Sequence, residues 1–160
     1  QVRLLATDLY VQNCPEHVDA LVSADEMGEV LRQSDIVILT VPLTSQTKAF
    51  FAAPQFEQMK QGSLLINVAR GEVVVEDDLV GALESKTLSG AGLDVTEVEP
   101  LPESSKLWER DDVIITPHVG AQSARRVDDT TDLACENLRR YLAGHRLLHV
   151  VDKQLGFAPP

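Results

Sequence analysis

The chain is short of cysteine, with only Cys14 and Cys135 among 160 residues. The two form no C-x-x-C pair and have no spacing typical of metal ligands, so the sequence predicts neither a disulfide framework nor a metal site. Two isolated thiols in a chain of this length are typical of a reducing compartment. We therefore expect a cytoplasmic protein.

Long apolar runs and basic residues are also scarce. No run approaches the roughly 18 apolar residues of a membrane span, and the opening QVRLLATD does not have the form of a signal peptide. Lys and Arg number 14 against 25 Asp and Glu, which gives a net charge of −11. Because phosphate backbones and anionic lipids repel such a charge, we expect neither nucleic acid nor a membrane as partner.

Five hydrophobic runs alternate with segments of helical character. In chain order they are VRLLAT, IVILTV, SLLINVA, GAGLDV and VIITP. Continuous apolar runs are typical of parallel strands buried on both faces, with helices as the crossover connections. The sequence therefore predicts an α/β fold with a parallel sheet and helices on both of its faces.

Helix signals lie between and after these runs. Ser23 and Glu26 form a capping box, which predicts a helix that extends to about Gln33. Further helices are predicted over 54–60, 76–86 and 122–142, the last ended by Gly144.

A glycine-rich phosphate loop is missing, since no G-x-G-x-x-G occurs anywhere in the chain. The first run nevertheless ends in Asp8, and an acid at the end of the second strand of a dinucleotide fold can accept both hydroxyls of an adenine ribose. Such an acid favours NAD over NADP, although a strand-ending Asp is also a common loop or cap residue. The pattern predicts a Rossmann-type doubly wound sheet that lacks its first strand and its Gly-rich loop.

Two further polar residues follow predicted strands. Arg70 comes after SLLINVA, beside Gly71, which is expected to let the backbone bend tightly. A guanidinium in that position could bind a substrate carboxylate through two parallel hydrogen bonds, or simply lie on the surface. Asp94 ends GAGLDV and could bind a ligand carboxamide or accept hydrogen bonds from backbone amides.

His118 and Glu99 are candidates for proton transfer. His118 lies just beyond VIITP, and a histidine can give or take a proton near neutral pH. A neighbouring carboxylate would favour the protonated ring and fix its tautomer, and Glu99 is the candidate for that position. Spacing alone leaves open whether the two side chains meet.

With these residues identified, the chain resembles the D-isomer-specific 2-hydroxyacid dehydrogenase family, which includes phosphoglycerate dehydrogenase and glyoxylate/hydroxypyruvate reductase. The matching segments occur in the family's order and at its spacing: SDIVILTVPLTSQT, MKQGSLLINVARGEVV, DDLVGALESKTLSGAGLDV, EPLP and TPHVGAQS. Thr96 departs from the pattern, because the family often has an aromatic residue there. The resemblance covers nearly the whole chain.

The resemblance implies hydride transfer between nicotinamide and carbon 2 of a small 2-hydroxy or 2-oxo acid. His118 would be the general acid and base, Glu99 its partner, and Arg70 the clamp on the substrate carboxylate. Asp8 would bind the adenine ribose of NAD and Asp94 the nicotinamide carboxamide. The remaining cofactor contacts would come from Val41, Pro42, Val68, Ala69, Gly120 and Ala121, with Arg70 and His118 also near the cofactor.

The resemblance also carries expectations about domain organisation. Residues 1–146 would be a partial NAD-binding domain, and residues 147–160 a tail that returns to an absent substrate domain, so we expect the isolated 160 residues to be inactive. Family members pair through the cofactor domain, which implies a homodimer. An alternative is an NAD(H)-sensing interaction protein, because a group of transcriptional corepressors shares this fold and its catalytic residues.

Overall fold

A computed structural model describes residues 2–11 and 13–158 of the chain. The chain divides into two compact units, and the boundary between them lies between Pro117 and His118. No helix in the described ranges combines the length and the apolar character needed to cross a membrane.

In the described residues, the first unit contains two parallel sheets. The strands are β1 (Leu5–Thr7), β2 (Ala20–Val22), β3 (Ile36–Leu39), β4 (Ser63–Asn67), β5 (Leu88–Leu93) and β6 (Val113–Ile115). β1 pairs with β2, and the other four lie in the order β3-β4-β5-β6. The predicted parallel α/β architecture is confirmed. β2 was not predicted, because a three-residue ALV run is too short for periodicity to distinguish from a loop.

The helices are α1 (Met27–Gln33), α2 (Ala53–Phe56), α3 (Glu76–Glu84) and α4 (Arg126–Leu142). Short 3₁₀ turns cover Ala24–Glu26, Gly71–Val73 and Lys106–Glu109. Before α1, the Ser23 N–H donates to the Glu26 carboxylate (3.3 Å), which is one half of a capping box. The Ser23 hydroxyl donates to the same carboxylate oxygen (2.9 Å). α4 begins later than predicted, because the Gln122 N–H donates to the Val119 carbonyl (2.8 Å) in a separate turn.

The core lies on one face of the sheet formed by β3 to β6. Apolar side chains of α2 and α3 pack there against alternate residues of the strands. Core residues that are at most 2% exposed include Phe51, Leu65, Leu79, Leu83 and Leu88. On β3, Val37 and Leu39 point into this core, whereas Ile36 and Ile38 are more than half exposed. Parallel sheets normally bury both faces. The exposed isoleucines of β3 therefore mark an apolar sheet surface that the first unit leaves uncovered.

An ion pair anchors the amino end of β6. The Arg110 guanidinium donates from Nε and Nη2 to the two Asp112 carboxylate oxygens, each at 2.8 Å. These hydrogen bonds lower the pKa of Asp112 below its ordinary value, with a smaller contribution from Lys86. Arg110 and Asp112 precede β6, whereas His118 follows it. We therefore assign the ion pair to the stability of the fold and not to the candidate site.

In the second unit, α4 ends at the predicted glycine. Gly144 has a positive φ of 70°, which a side chain rarely adopts and which stops the helix. The tail folds back on α4, because the Asn137 side chain donates to the Leu148 carbonyl (3.2 Å) and accepts from the Leu148 N–H (2.8 Å). No side chain of α4 is buried among the described residues.

Candidate functional site

Polar residues meet at the carboxyl ends of β4, β5 and β6. These three strands are neighbours and parallel, so their ends lie along one edge of the sheet. The Asp94 N–H donates to the Asn67 carbonyl (3.0 Å), and the Thr116 N–H donates to the Leu93 carbonyl (2.9 Å). This edge is where ligands bind in open parallel α/β sheets.

Asn67 organises the turn that carries Arg70. Its side chain is 1% exposed. It donates from Nδ2 to the Arg70 carbonyl (3.1 Å) and accepts the Ala69 N–H at Oδ1 (3.0 Å). The sequence analysis missed Asn67, although a polar residue inside the apolar run SLLIN must find hydrogen-bond partners when buried, and that was the available signal.

Arg70 lies at the exposed sheet edge, just after this turn. Its Nη1 donates to the Ala69 carbonyl at 2.6 Å, which folds the side chain over its own turn. A guanidinium has five N–H donors in a planar fork, so one such bond leaves the fork able to bind a carboxylate.

Gly71 packs directly against the turn that leads to Glu99. A Cβ atom at Gly71 would lie 1.8 Å from the carbonyl oxygen of Thr96 and 2.0 Å from its carbonyl carbon. The glycine is therefore required for close approach, and Gly71 does not have the positive φ of a left-handed turn. This contact brings the turn of Arg70 and the segment of Glu99 together, which the sequence could not establish.

Glu99 is held by the first residue of its own turn. The Thr96 N–H donates to Oε1 of Glu99 (3.2 Å), and the Thr96 hydroxyl donates to the Val98 carbonyl (2.9 Å). The exposed Glu99 side chain lines an open cavity of about 620 Å³ beside Trp108 and Thr116. The Trp108 indole N–H donates to the Pro102 carbonyl (2.9 Å), which orients the ring at the cavity.

Asp94 is buried at the end of β5, with 8% of its surface exposed. Its Oδ1 accepts a hydrogen bond of 2.6 Å from the Thr116 hydroxyl. Distances of 2.5–2.7 Å are typical of hydroxyl donors to ionised carboxylates. Thr116 was not predicted as a functional residue, because its partner lies on a different strand.

The other predicted cofactor contacts also follow strand ends. Asp8 follows β1, is exposed, and accepts at Oδ1 from the N–H groups of Tyr10 (2.7 Å) and Val11 (2.9 Å). It thus has the loop-capping role that was left open as an alternative. Val41 and Pro42 come after β3, where the Thr47 hydroxyl donates to the Pro42 carbonyl; Val68 and Ala69 come after β4.

Three predicted site residues belong to the second unit: His118, Gly120 and Ala121. All three are exposed, and His118 has a positive φ of 53°. The predicted pairing of Glu99 with His118 crosses the boundary between the units and stays a prediction.

Comparison with known proteins identifies the family to which the chain belongs. The sequence profile of the family described as "D-isomer specific 2-hydroxyacid dehydrogenase, NAD binding domain" matches residues 1–120. Glyoxylate/hydroxypyruvate reductase A of Citrobacter koseri is 35% identical over 140 residues, which are 88% of this chain and 44% of that protein. Glycerate dehydrogenase of Methylorubrum extorquens is 37% identical over 145 residues, covering 89% and 43%.

Solved structures agree with the sequence matches. The NADPH-dependent glyoxylate/hydroxypyruvate reductase of Sinorhizobium meliloti, in complex with NADP and sulfate, has a TM-score of 0.89 at 31% identity, covering 97% of this chain and 49% of that one. A D-isomer specific 2-hydroxyacid dehydrogenase of Xanthobacter autotrophicus, in complex with NADPH and MES, has a TM-score of 0.85 at 32% identity, covering 94% and 71%. The chain spans about half the length of the curated relatives that it matches.

Proposed function

Because the chain belongs to the D-isomer specific 2-hydroxyacid dehydrogenase family, we propose that it forms the cofactor-binding part of an oxidoreductase acting on a small 2-hydroxy or 2-oxo acid. The observation that carries this proposal is the direct packing of Gly71 on Thr96. It joins the turn of the cationic Arg70 to the segment of the acidic Glu99 at a ligand-binding sheet edge.

The chemistry of the strand ends fits a dinucleotide. Carboxylates suit its hydroxyl and amide donors, so Asp8 would bind the adenine ribose and Asp94 the nicotinamide carboxamide. Small and apolar residues beyond the strands would contact the rest of the cofactor: Val41, Pro42, Val68, Ala69, Gly120 and Ala121. The bound nicotinamide supplies or accepts the hydride.

We propose NAD over NADP, because the Asp8 carboxylate would repel a 2′-phosphate on the ribose. The test compares dissociation constants for NADH and NADPH in the complete natural polypeptide that contains this chain and in its Asp8→Ser variant. We expect the natural protein to prefer NADH and the variant to lose most of that preference. Equal or tighter binding of NADPH by the natural protein would contradict the assignment.

Three side chains would bind the substrate and transfer the proton. Arg70 would bind the substrate carboxylate with its guanidinium fork and polarise the neighbouring carbonyl. His118 would give a proton to the carbonyl oxygen during reduction and take it back during oxidation, a contribution of about 10²- to 10⁴-fold. Glu99 would accept an N–H of the imidazole, which stabilises the protonated ring and fixes its orientation.

We further propose that residues 1–146 are a partial NAD-binding domain and that residues 147–160 return to a substrate domain; Pro159 and Pro160 lie outside the described residues. One parallel strand between β1 and β3 would join the two sheets into one. It would also complete the fold beside the exposed Ile36 and Ile38. The isolated 160 residues should therefore neither bind NADH tightly nor turn over.

The decisive experiment follows NADH oxidation by the complete natural polypeptide that contains this chain, with a panel of 2-oxo acids. We expect one or two acids to turn over, and His118→Ala to abolish turnover while NADH still binds. Glu57→Ala, at an exposed position between α2 and the amino end of β4, is the control and should keep full activity. NADH binding without turnover of any acid would refute the dehydrogenase assignment and favour the NAD(H)-sensing alternative.

We also propose a cytoplasmic homodimer. The cysteine usage supports the compartment, and the family resemblance supports the dimer. Light scattering of the complete polypeptide tests the second point, since a monomer mass at micromolar concentration would contradict it.

A further inference from the structure

Asp94 is held from both sides by the neighbouring strands. On the β4 side, its N–H donates to the Asn67 carbonyl at 3.0 Å. On the β6 side, its carboxylate accepts the Thr116 hydroxyl at 2.6 Å. The first bond fixes the backbone, and the second acts on the carboxylate itself.

We propose that Thr116 is a positioning residue that orients the Asp94 carboxylate toward the carboxamide of the nicotinamide ring. The inference rests on the proposed function, which assigns Asp94 to that carboxamide. Thr116 is itself fixed to β5, because its N–H donates to the Leu93 carbonyl one residue before Asp94. A donor tied to the same strand as its acceptor holds the carboxylate in one rotamer, which lowers the entropy cost of binding a ligand there.

The hydroxyl also supports the charge of a buried acid. Asp94 is 8% exposed, and burying a polar group is costly unless it is hydrogen-bonded. An ionised carboxylate accepts from the carboxamide NH₂ group more strongly than a neutral acid would. Loss of Thr116 should therefore weaken the interaction with that NH₂ group and leave the rest of the cofactor contacts intact.

The test uses a dinucleotide that lacks the NH₂ group. Reduced 3-acetylpyridine adenine dinucleotide has a methyl ketone in place of the carboxamide, so it cannot donate to Asp94. Dissociation constants for it and for NADH are measured by titration calorimetry on the complete polypeptide. For Thr116→Val we expect NADH to bind about 3- to 10-fold more weakly, which is the range of one hydrogen bond, and the analogue to change by less than about 2-fold.

Two further variants separate positioning from a general loss of structure. Thr116→Ser keeps the hydroxyl and should restore NADH binding to within about 2-fold of the natural protein. Thr87→Val removes a threonine hydroxyl just before the amino end of β5 and should change neither constant. In an Asp94→Ala background, Thr116→Val should have no further effect, because the group that it orients is gone.

The outcomes are distinct. An equal loss for NADH and for the analogue in Thr116→Val, or no rescue by Thr116→Ser, overturns the role of Thr116 and leaves the proposed function standing. If the natural polypeptide binds neither dinucleotide, the proposed function fails and the inference fails with it.

Discussion

Replacing Gly71 by alanine should separate the two turns that form the candidate site. The added Cβ would lie 1.8 Å from the Thr96 oxygen, 2.0 Å from the Thr96 carbon and 2.5 Å from the Glu97 nitrogen. All three are backbone atoms, so no side-chain rotation can relieve the clash. The segment has to move by about 1.2 Å, from 1.8 Å to the 3.0 Å below which real Cβ contacts are essentially never found.

The displacement has a stability cost and a functional cost. Overpacking of this kind costs about 1–3 kcal/mol, which urea unfolding of the natural and variant proteins measures. A shift of about 1 Å in a catalytic group can cost about 10²-fold in rate. Because the Glu99 segment has to move away from Arg70, we expect kcat/KM of the complete polypeptide to fall by about that factor.

Gly81→Ala is the matched control. Gly81 lies in the middle of α3 at an exposed position, and an added Cβ atom would meet nothing within 4 Å. Alanine is the better helix former, so this variant should gain about 0.5–1 kcal/mol and keep its activity. If Gly71→Ala instead behaved like Gly81→Ala in both assays, the close approach of the two turns would be refuted.

Three further predictions concern the same sheet. Asn67→Ala leaves the Ala69 N–H without the Asn67 oxygen and removes one donor to the Arg70 carbonyl, which keeps the Val73 N–H at 3.3 Å. The variant should therefore cost about 1–3 kcal/mol in urea unfolding; an unchanged midpoint would contradict this. Arg70→Lys keeps the charge but loses the fork, so KM for the 2-oxo acid should rise about 10-fold or more with the NADH dissociation constant unchanged; equal changes in both would assign Arg70 to the cofactor. Because the folded-state pKa of Asp112 is lowered by Arg110, its contribution to stability is present above the unfolded value of about 3.9 and is lost as pH falls through the folded value. The difference in unfolding free energy between the natural protein and Asp112→Asn should therefore shrink below about pH 4, and a constant difference from pH 7 to pH 2 would exclude that mechanism.

The long apolar runs determined most of what could be predicted. SLLINVA and GAGLDV are continuous enough to identify β4 and β5, and their order along the chain implies a parallel sheet. β2 escaped prediction because three apolar residues after a loop have no measurable period. The helix from Ser23 was predictable because its capping signal is local, with both partners within three residues.

The contacts within the candidate site were harder to predict, because they join residues that are distant in sequence. Arg70 and Asp94 could be located at strand ends from the sequence. The bond from Thr116 to Asp94 depends on the register of β5 against β6, with Leu93 opposite Ile115, and no local pattern encodes that register. Likewise, Gly71 looked like a bending residue, whereas its function is to admit the backbone of Thr96.

The separation of β1-β2 from β3 to β6 has a practical consequence for handling the protein. Among the described residues, β1 and β3 each pair on one side only, so each presents a row of backbone donors and acceptors to solvent. Such edges can pair with strands of other chains, and the exposed isoleucines of β3 favour association at the β3 edge. We expect the isolated chain to self-associate during purification. Coexpression with a peptide that inserts between the two edges should keep it dispersed, so the fold offers a point at which the protein can be split and reassembled.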